Sequence, residues 1–367
     1  MSKAAELAAL IGSQTAQTSR NMAYNGAMNV AQRSASVTGI GASSGYFTVD
    51  RFKLAPNGTA GRLTMTQTAD GPSGFANCLK LDCTTADTSV AAAEFLILSQ
   101  FFEGQDLQRL KKGTSEAESV TLSFYVKGNA AATYTVELYD ADNNRSISQR
   151  FSVTTSWSRV SLTYVGDTTG ALDDDNATSL IVNIWLHAGS DYTSGTQNTV
   201  WQTLAGTERA NSSDTSFFDS TNRTFFMTGV QLEVGDVATP FEHENFGITL
   251  AKCQRYYYRI GEAGTFHRYA VGSCQGTSSC GTVIYSPAGE MRGTPTLETT
   301  GTAGNYAIYE ADGVNACSSI PAINSAGTNS NHFNVTFTSS GNLASGNAAE
   351  AIANNNADAF LAFLAEL

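Results

Sequence analysis

The side chains of this 367-residue chain best suited to moving protons near neutral pH are His187, His243, His267 and His332. They are scattered, each far in sequence from a candidate nucleophile, and no GxSxG, HExxH or Walker-type loop occurs. Glu94, Glu103, Glu137 and Asp140 fall at strand edges and turns. A glycan-cleaving carboxylate pair is defined by its separation in space, which a sequence does not give. We assign no catalytic residue and expect no enzyme.

Two acidic segments carry donors for a hard cation. Asp140-x-Asp142-x-Asn144 opens like an EF-hand loop, but Arg145 stands where that loop needs Gly and Phe151 where it needs Glu. The run Asp173-Asp174-Asp175-Asn176 offers further oxygens in what reads as a solvated turn. No metal or other cofactor is assigned; a structural calcium has ligands here but no matching scaffold. Cys78, Cys83 and Cys253 sit in apolar surroundings as buried thiols, and Cys317 has no evident partner. Cys274 and Cys280 flank QGTSS and would close a small hairpin if oxidised, which a reducing compartment disfavours.

Sugar binding needs an aromatic platform with amides, hydroxyls and carboxylates around it. Trp185, Tyr192 and Trp201 lie on or after a strand entering the Gly/Ser/Thr-rich segment 189–198, and are the candidates for carbohydrate contact. A Trp185 that fills the core is the competing reading. Trp157 reads as packing at a strand start.

Charged residues make up 15% of the chain, against about 25% in ordinary soluble domains. Ser, Thr, Asn, Gly and Ala take their place, as suits a β-rich surface that hydrogen-bonds through hydroxyls and amides. A net charge of −12 argues against nucleic acid or an anionic membrane as partner. No apolar run approaches the ~20 residues of a membrane span. The N-terminal MSKAAELAALIGSQ lacks the apolar centre of a signal peptide.

The elements that must position these residues are short strands. Residues 3–11 suggest a small helix with Ser2 as its N-cap, followed by a polar linker to residue 20. From there strands are predicted at 44–54, 61–68, 78–83, 94–102, 119–127, 133–139, 146–154, 159–165, 179–187 and 224–234. Turns such as Pro56-Asn57-Gly58 and Asp142-Asn143-Asn144 separate them, and together they predict an antiparallel sandwich. In the last strand Phe226, Thr228, Val230, Leu232 and Val234 alternate with Met227, Gly229, Gln231 and Glu233. After Gly235-Asp236 and Pro240 the period changes: Phe246, Leu250, Cys253 and Tyr257 form the stripe of a short helix. Further strands are predicted at 266–272, 281–285, 296–300, 306–310, 332–338 and 357–367, leaving 313–331 and 338–356 as long exposed loops.

The run GVQLEVGDVATPFEH followed by LAKCQRYYYR resembles a module of tail-fibre and other virion structural proteins of tailed bacteriophages, especially of marine bacteria. RNMAYNGAMNVAQR, GYFTVDRFKL, FEGQDLQRLKKGT, VTLSFYVKG and the terminal LAFLAEL resemble the same family. Asn25-Gly26, residues 78–81, 122–127 and 230–233 are also similar to strands of jelly-roll carbohydrate-binding modules. The resemblance implies a mainly β protein: an N-terminal helical attachment segment at 1–20, a jelly-roll β-sandwich at 21–243, a connector helix at 244–260 and a second, smaller β-sandwich at 261–367. It implies a tail fibre of the virion, made in the host bacterial cytoplasm, attached to other virion proteins through its N-terminal segment and recognising a host-surface glycan. A homotrimer is expected, with Phe246, Leu250, Tyr256, Tyr257 and Tyr258 at its interface, since one helix carries more apolar surface than it can hide. A head-decoration protein without host recognition and a glycan-degrading tailspike are the alternatives.

Overall fold

The computed structural model describes residue 3, residues 19–261 and residues 264–367. The helix expected at 3–11 lies, Lys3 apart, outside the described residues. The fold is mainly β, in two compact units: Met1–Thr249 with Leu367, and Leu250–Glu366.

The first unit is a β-sandwich. One six-stranded sheet contains β1 (Ser36–Ile40), β4 (Arg62–Thr68), β5 (Cys78–Thr85), β7 (Val120–Gly128), β10 (Ser158–Tyr164) and β13 (Thr224–Val234), in the order β1-β4-β5-β13-β7-β10. The opposing sheet contains β2 (Gly45–Tyr46), β3 (Lys53–Asn57), β6 (Phe95–Glu103), β8 (Ala132–Asp140), β9 (Arg145–Val153), β11 (Thr178–Ala188) and β12 (Gln202–Thr203), in the order β12-β9-β8-β11-β6-β3-β2. All pairings within the two sheets are antiparallel. β13, close to last in this unit's sequence, is inserted between β5 and β7, so the sheet closes only when the chain returns from a long excursion.

Aromatic edges fasten one sheet to the other. Phe124 on β7 meets Phe151 on β9 with centroids 5.1 Å apart at 89°, and Tyr134 on β8 meets Phe225 on β13 at 5.8 Å and 85°. Burying each such ring contributes about 1.5–3 kcal/mol from its lost water contact. β13 departs from the strict alternation expected of it. Gly229 has φ +63° and lies within a register shift against β7, so Phe225 and Met227 before it and Val230 and Leu232 after it all become buried. A bulge moves the phase of the strand by one residue, and only glycine takes that φ without strain.

The second unit is also two-layered. β14 (Tyr257–Gly261), β17 (Thr296–Thr299) and β23 (Phe360–Leu364) form a three-stranded sheet ordered β14-β23-β17. β15 (Arg268–Cys274), β16 (Ser279–Tyr285), β18 (Tyr306–Glu310), β19 (Gly313–Ala316), β20 (Ala322–Ile323), β21 (His332–Thr338) and β22 (Ala348–Ala353) form a seven-stranded sheet ordered β19-β18-β22-β15-β16-β21-β20. Phe333 on β21 stacks on Phe363 on β23 at 4.2 Å, joining the layers.

Two expectations about this half are corrected. The segment 338–356 is not simply an exposed loop: it holds β22, whose Ala349, Ala351, Ile352 and Ala353 are buried at the centre of the larger sheet. The connector helix is shorter than expected, Phe246–Gln254, started by Asn245, whose side chain accepts from the Gly247 N–H at 2.9 Å. Tyr257, placed on the helical stripe by its spacing, instead opens β14 opposite Leu364. A distant strand partner outweighs a helical period in a run of tyrosines, which favour strands in any case.

The strand position of Tyr257 bears on the expected oligomer contacts. Tyr256 and Tyr257 are buried within the chain, and half-buried Tyr258 stacks on Phe363 at 6.1 Å. Leu250 is half-buried, and Phe246, 55% exposed, is the one of the five that offers substantial free surface. Tyr258 therefore packs against the second unit's core, and Tyr256 and Tyr257 have little surface left to offer a neighbouring copy.

Candidate functional site

The long excursion between β11 and β13 folds back over the outer face of β6, β8 and β11. Trp185 on β11 lies under it, 1% exposed. Its indole N–H donates to Glu137 Oε2 on β8 at 3.1 Å, and Asn183 Nδ2 donates to the same oxygen at 3.0 Å. Arg209, from the excursion, closes on Glu137 with two bonds of 2.8 and 2.7 Å, while its guanidinium lies 4.9 Å from the Trp185 ring centroid. Burial opposes the charge on Arg209, but the Glu137 carboxylate more than offsets it and holds the guanidinium pKa above its ordinary value. Glu137 is fully buried, so this pair anchors the covering segment to the sheet.

Of the three aromatic residues proposed for sugar contact, Trp185 and Tyr192 come together, with centroids 5.2 Å apart, and Phe95 meets Tyr192 edge-on at 5.3 Å. Trp185 cannot be a stacking platform: its faces are taken by Arg209 and Tyr192, and it is the core residue of the competing reading. Trp201 lies apart from this group. Its indole N–H donates to Val165 O at 2.8 Å, and Lys112 sits 5.4 Å from its ring centroid.

Beside Trp185 opens a cleft of about 300 Å³, lined by Trp185, His187, Asn211, Ser212, Asp214 and Ser216 with Val90 and Ser190 at its side. The cleft lies where β11 leaves its regular ladder, at a register shift between Trp185 and His187. Gly189 then brings the chain against residues 91–92. A Cβ at this position would meet Ala91 O at 2.1 Å, and the Gly189 N–H donates to Glu94 O at 2.8 Å. On the opposite wall Thr215 N–H donates to Thr133 O on β8 at 2.8 Å and Phe217 N–H to Leu186 O on β11 at 2.7 Å. Phe217 and Phe218 are fully buried, so Ser216 between these tethers is held by the sandwich itself. Asp214 is occupied: Arg150 Nε donates to it at 2.7 Å, and the Thr135 hydroxyl donates to its other oxygen.

Within the cleft wall a serine, a histidine and a carboxylate lie in line. Ser216 Oγ is 2.7 Å from His187 Nδ1, and His187 Nε2 is 3.6 Å from Glu94 Oε2. The imidazole is buried, and among the described residues Nε2 has no hydrogen-bond partner. Burial lowers the His187 pKa from its ordinary value, only partly opposed by Glu94 and Asp87, so the ring is neutral at pH 7. Glu94 Oε2 also accepts the Ala91 N–H at 3.0 Å, and Asp87 accepts from the Thr59 hydroxyl and the Ala60 N–H. Nothing in the sequence singles out His187, because no nucleophile motif lies near it. Ser216 is 29 residues away on a loop, and only its tethers to β8 and β11 bring it there.

Of the two acidic segments weighed for calcium, the first is engaged by side chains, while residues 173–176 are exposed, Asp142 Oδ2 accepting the Asp173 N–H and Asp175 Oδ1 the Ala177 N–H, both at 2.9 Å. Lys112 Nζ contacts Asp140 Oδ2, lies 3.1 Å from Asp167 Oδ2, and donates to the carbonyls of Thr169 at 3.0 Å and Gly170 at 2.9 Å. Arg145 adds two bonds to Asp167, and Asn143 donates to both oxygens of Asp140. Desolvation works against the Asp167 charge, yet Arg145 and Lys112 hold its pKa below the usual carboxylate range. Among the described residues no group of three or more His, Cys, Asp or Glu side chains is arranged to hold a metal ion. Cys274 and Cys280 face each other across β15 and β16 as buried free thiols.

No family model matches the chain, and no curated protein matches it. Among solved structures it is similar to the enzymatically active domain of tailspike protein 4 of bacteriophage CBA120, at 11% identity and TM-score 0.32, over 59% of this chain and 21% of that one. The chain thus spans about a fifth of that tailspike domain's length. It is similar also to a family 61 carbohydrate-binding module in complex with β-1,4-galactotriose, at 11% identity and TM-score 0.30, over 59% of this chain and 99% of that one. A family 11 carbohydrate-binding module from Clostridium thermocellum, in complex with a β-1,3-1,4-mixed-linked tetrasaccharide, aligns at 9% identity and TM-score 0.29, over 52% of this chain and 91% of that one. At such scores none of these likenesses carries a functional argument.

Proposed function

We propose that this chain is a bacteriophage virion protein, a tail fibre that attaches the particle to a host-surface glycan through the cleft beside Trp185. The observation that carries the reading is the cleft's chemistry. Its wall presents Asn211, Ser212, Ser190 and Ser216, groups that exchange hydrogen bonds with sugar hydroxyls, in a rigid frame set by the Glu137–Arg209 pair. The bacteriophage assignment rests on sequence motifs, GVQLEVGDVATPFEH and LAKCQRYYYR foremost. In this reading the assembly is a homotrimer held to other virion proteins through residues 1–20. Phe246, exposed like Ile248 on the same helix, is the residue with which the connector would contribute to the trimer.

A glycan array probed with the full chain tests the binding, with Ser212→Trp as control because Ser212 is exposed and the indole would fill the opening. Selective binding that falls at least about tenfold in the variant is expected, the loss of about 1.4 kcal/mol of contact. Binding to no glycan overturns the reading and favours a head-decoration role, and selective binding untouched by the variant overturns the cleft as receptor site. Electron microscopy of particles labelled at Leu367 reads the location directly: label on the head would end the tail-fibre reading.

A further inference from the structure

We propose that Ser216, His187 and Glu94 form a nucleophile, base and carboxylate relay that hydrolyses carboxylate esters entering the cleft, the O-acyl substituent of a polyol being the substrate class. This goes beyond glycan binding and does not depend on which sugar the cleft holds.

The geometry carries the assignment. Ser216 Oγ stands 2.7 Å from His187 Nδ1, within the reach a general base needs, and it lines an opening of about 300 Å³, room for an acyl group and part of the alcohol that bears it. With Nε2 turned to Glu94 at 3.6 Å, the tautomer that suits both sides keeps its proton on Nε2 and leaves Nδ1 to accept from the serine hydroxyl. Among the described residues the buried Nε2 has no hydrogen-bond partner, an unmet group that calls for an explanation. A relay supplies one: an imidazolium formed during turnover would gain the Glu94 carboxylate and the nearby Asp87 charge, which the neutral ring hardly uses. The groups facing the ring are Ser216, Glu94, Asp87 and the edge of Phe218, whose centroid is 5.5 Å away. Phe218 N–H donates to Ser216 Oγ at 3.1 Å, a contact that also steadies a developing alkoxide. Burial keeps His187 neutral at pH 7, the state a base requires.

The step balances with water alone. Ser216 Oγ gives its proton to His187 Nδ1 and bonds to the ester carbonyl carbon. The carbon–alkoxy bond breaks, and the leaving alkoxide takes the proton from His187. Water, deprotonated by the same nitrogen, then attacks the acyl-serine; the acyl–Oγ bond breaks, His187 returns the proton to Ser216 Oγ, and the acid is released.

The test uses the full chain with p-nitrophenyl acetate and, separately, a fluorophosphonate probe located by mass spectrometry. Expected are phosphonylation at Ser216 and p-nitrophenol release above that of free imidazole. Ser216→Ala and His187→Gln should each lose about 10²–10⁴-fold of that rate, and Glu94→Gln less. The kcat/KM should fall as pH drops below the ordinary histidine range, which a purely structural Ser–His bond would not produce. Thermal melts check that the variants fold, and labelling of the unmodified chain needs no variant. Absence of labelling at Ser216, or a rate that survives Ser216→Ala, overturns the proposal. An aryl acetate carries no sugar, so ester hydrolysis and glycan binding can fail independently.

Discussion

The two units solve the same problem, closing a pair of antiparallel sheets, with different materials. In the first, charges are taken inside and neutralised there: Glu137 with Arg209, and Lys112 and Arg145 around Asp140 and Asp167. In the second, small residues and thiols pack against rings and aliphatic side chains, and the buried carboxylate of Glu310 accepts from the Ala344 N–H and Asn347 Nδ2. Ala349, Ala351, Ala353, Cys274, Cys280 and Cys317 lie with Tyr306, Phe333 and Phe337, while the ion pair Arg268–Glu350 stays on the surface with side chains 62% and 31% exposed. Buried ion pairs are directional and lock a loop in one place; small-residue packing lets sheets approach closely but fixes little beyond the sheet. The difference explains why the cleft is in the first unit, where a long covering segment is held rigid enough to shape a site.

The contrast can be broken most sharply at Glu137. Replacing it by Ala leaves the Arg209 guanidinium buried without its partner, and a loss of about 3–5 kcal/mol is expected for the first unit, measured by denaturant unfolding of the full chain. Retention of stability would mean that the covering segment is held by something else. Overpacking should be the second unit's weak point. Ala351→Leu at a fully buried strand centre is expected to cost about 1–3 kcal/mol and to lower only the transition of that unit in calorimetry.

Acid should distinguish the units next. His187 is depressed by burial, so its contribution is present above the ordinary histidine value near 6.5 and is lost as pH falls through its lower folded pKa. Asp167, and Asp87 against its own burial, are also depressed, so their contribution disappears only further down, as pH falls below the usual carboxylate range. The first unit's melting transition should therefore move down in two stages on acidification, and His187→Gln should remove the upper stage. The smallest effect belongs to the exposed pair: Arg268→Ala should change stability by about 0–1 kcal/mol, and a larger loss would contradict the picture of a second unit that leaves its ion pair at the surface.

Strands with turn signals on either side are readable as sequence. Residues 332–338, HFNVTFT, alternate polar and apolar and form β21 at those bounds. β22 is not readable, because AAEAIA between Asn- and Gly-rich segments has neither β-branched density nor a clear period; it is a strand because β15 and β18 bond it on both edges. The site divides in the same way. Trp185 and Tyr192 stand out by type, yet their exposure is a matter of what folds over them. Ser216 does not, being one serine in a Ser- and Asn-rich loop.

What the amino-acid order determined by itself was local: where the backbone extends, where it turns, and a sparsely charged, net-negative, hydroxyl-rich surface unsuited to phosphate. Side chains far apart along the chain were matched only by the closed sandwich. Insertion of β13 between β5 and β7, the fastening of residues 189–223 by Glu137, and the meeting of His187 with Ser216 all depend on contacts whose partners no local pattern specifies. Local propensity acts over a few neighbouring residues, whereas a cleft wall is set by hydrogen bonds and burial between strands brought together at the end of folding.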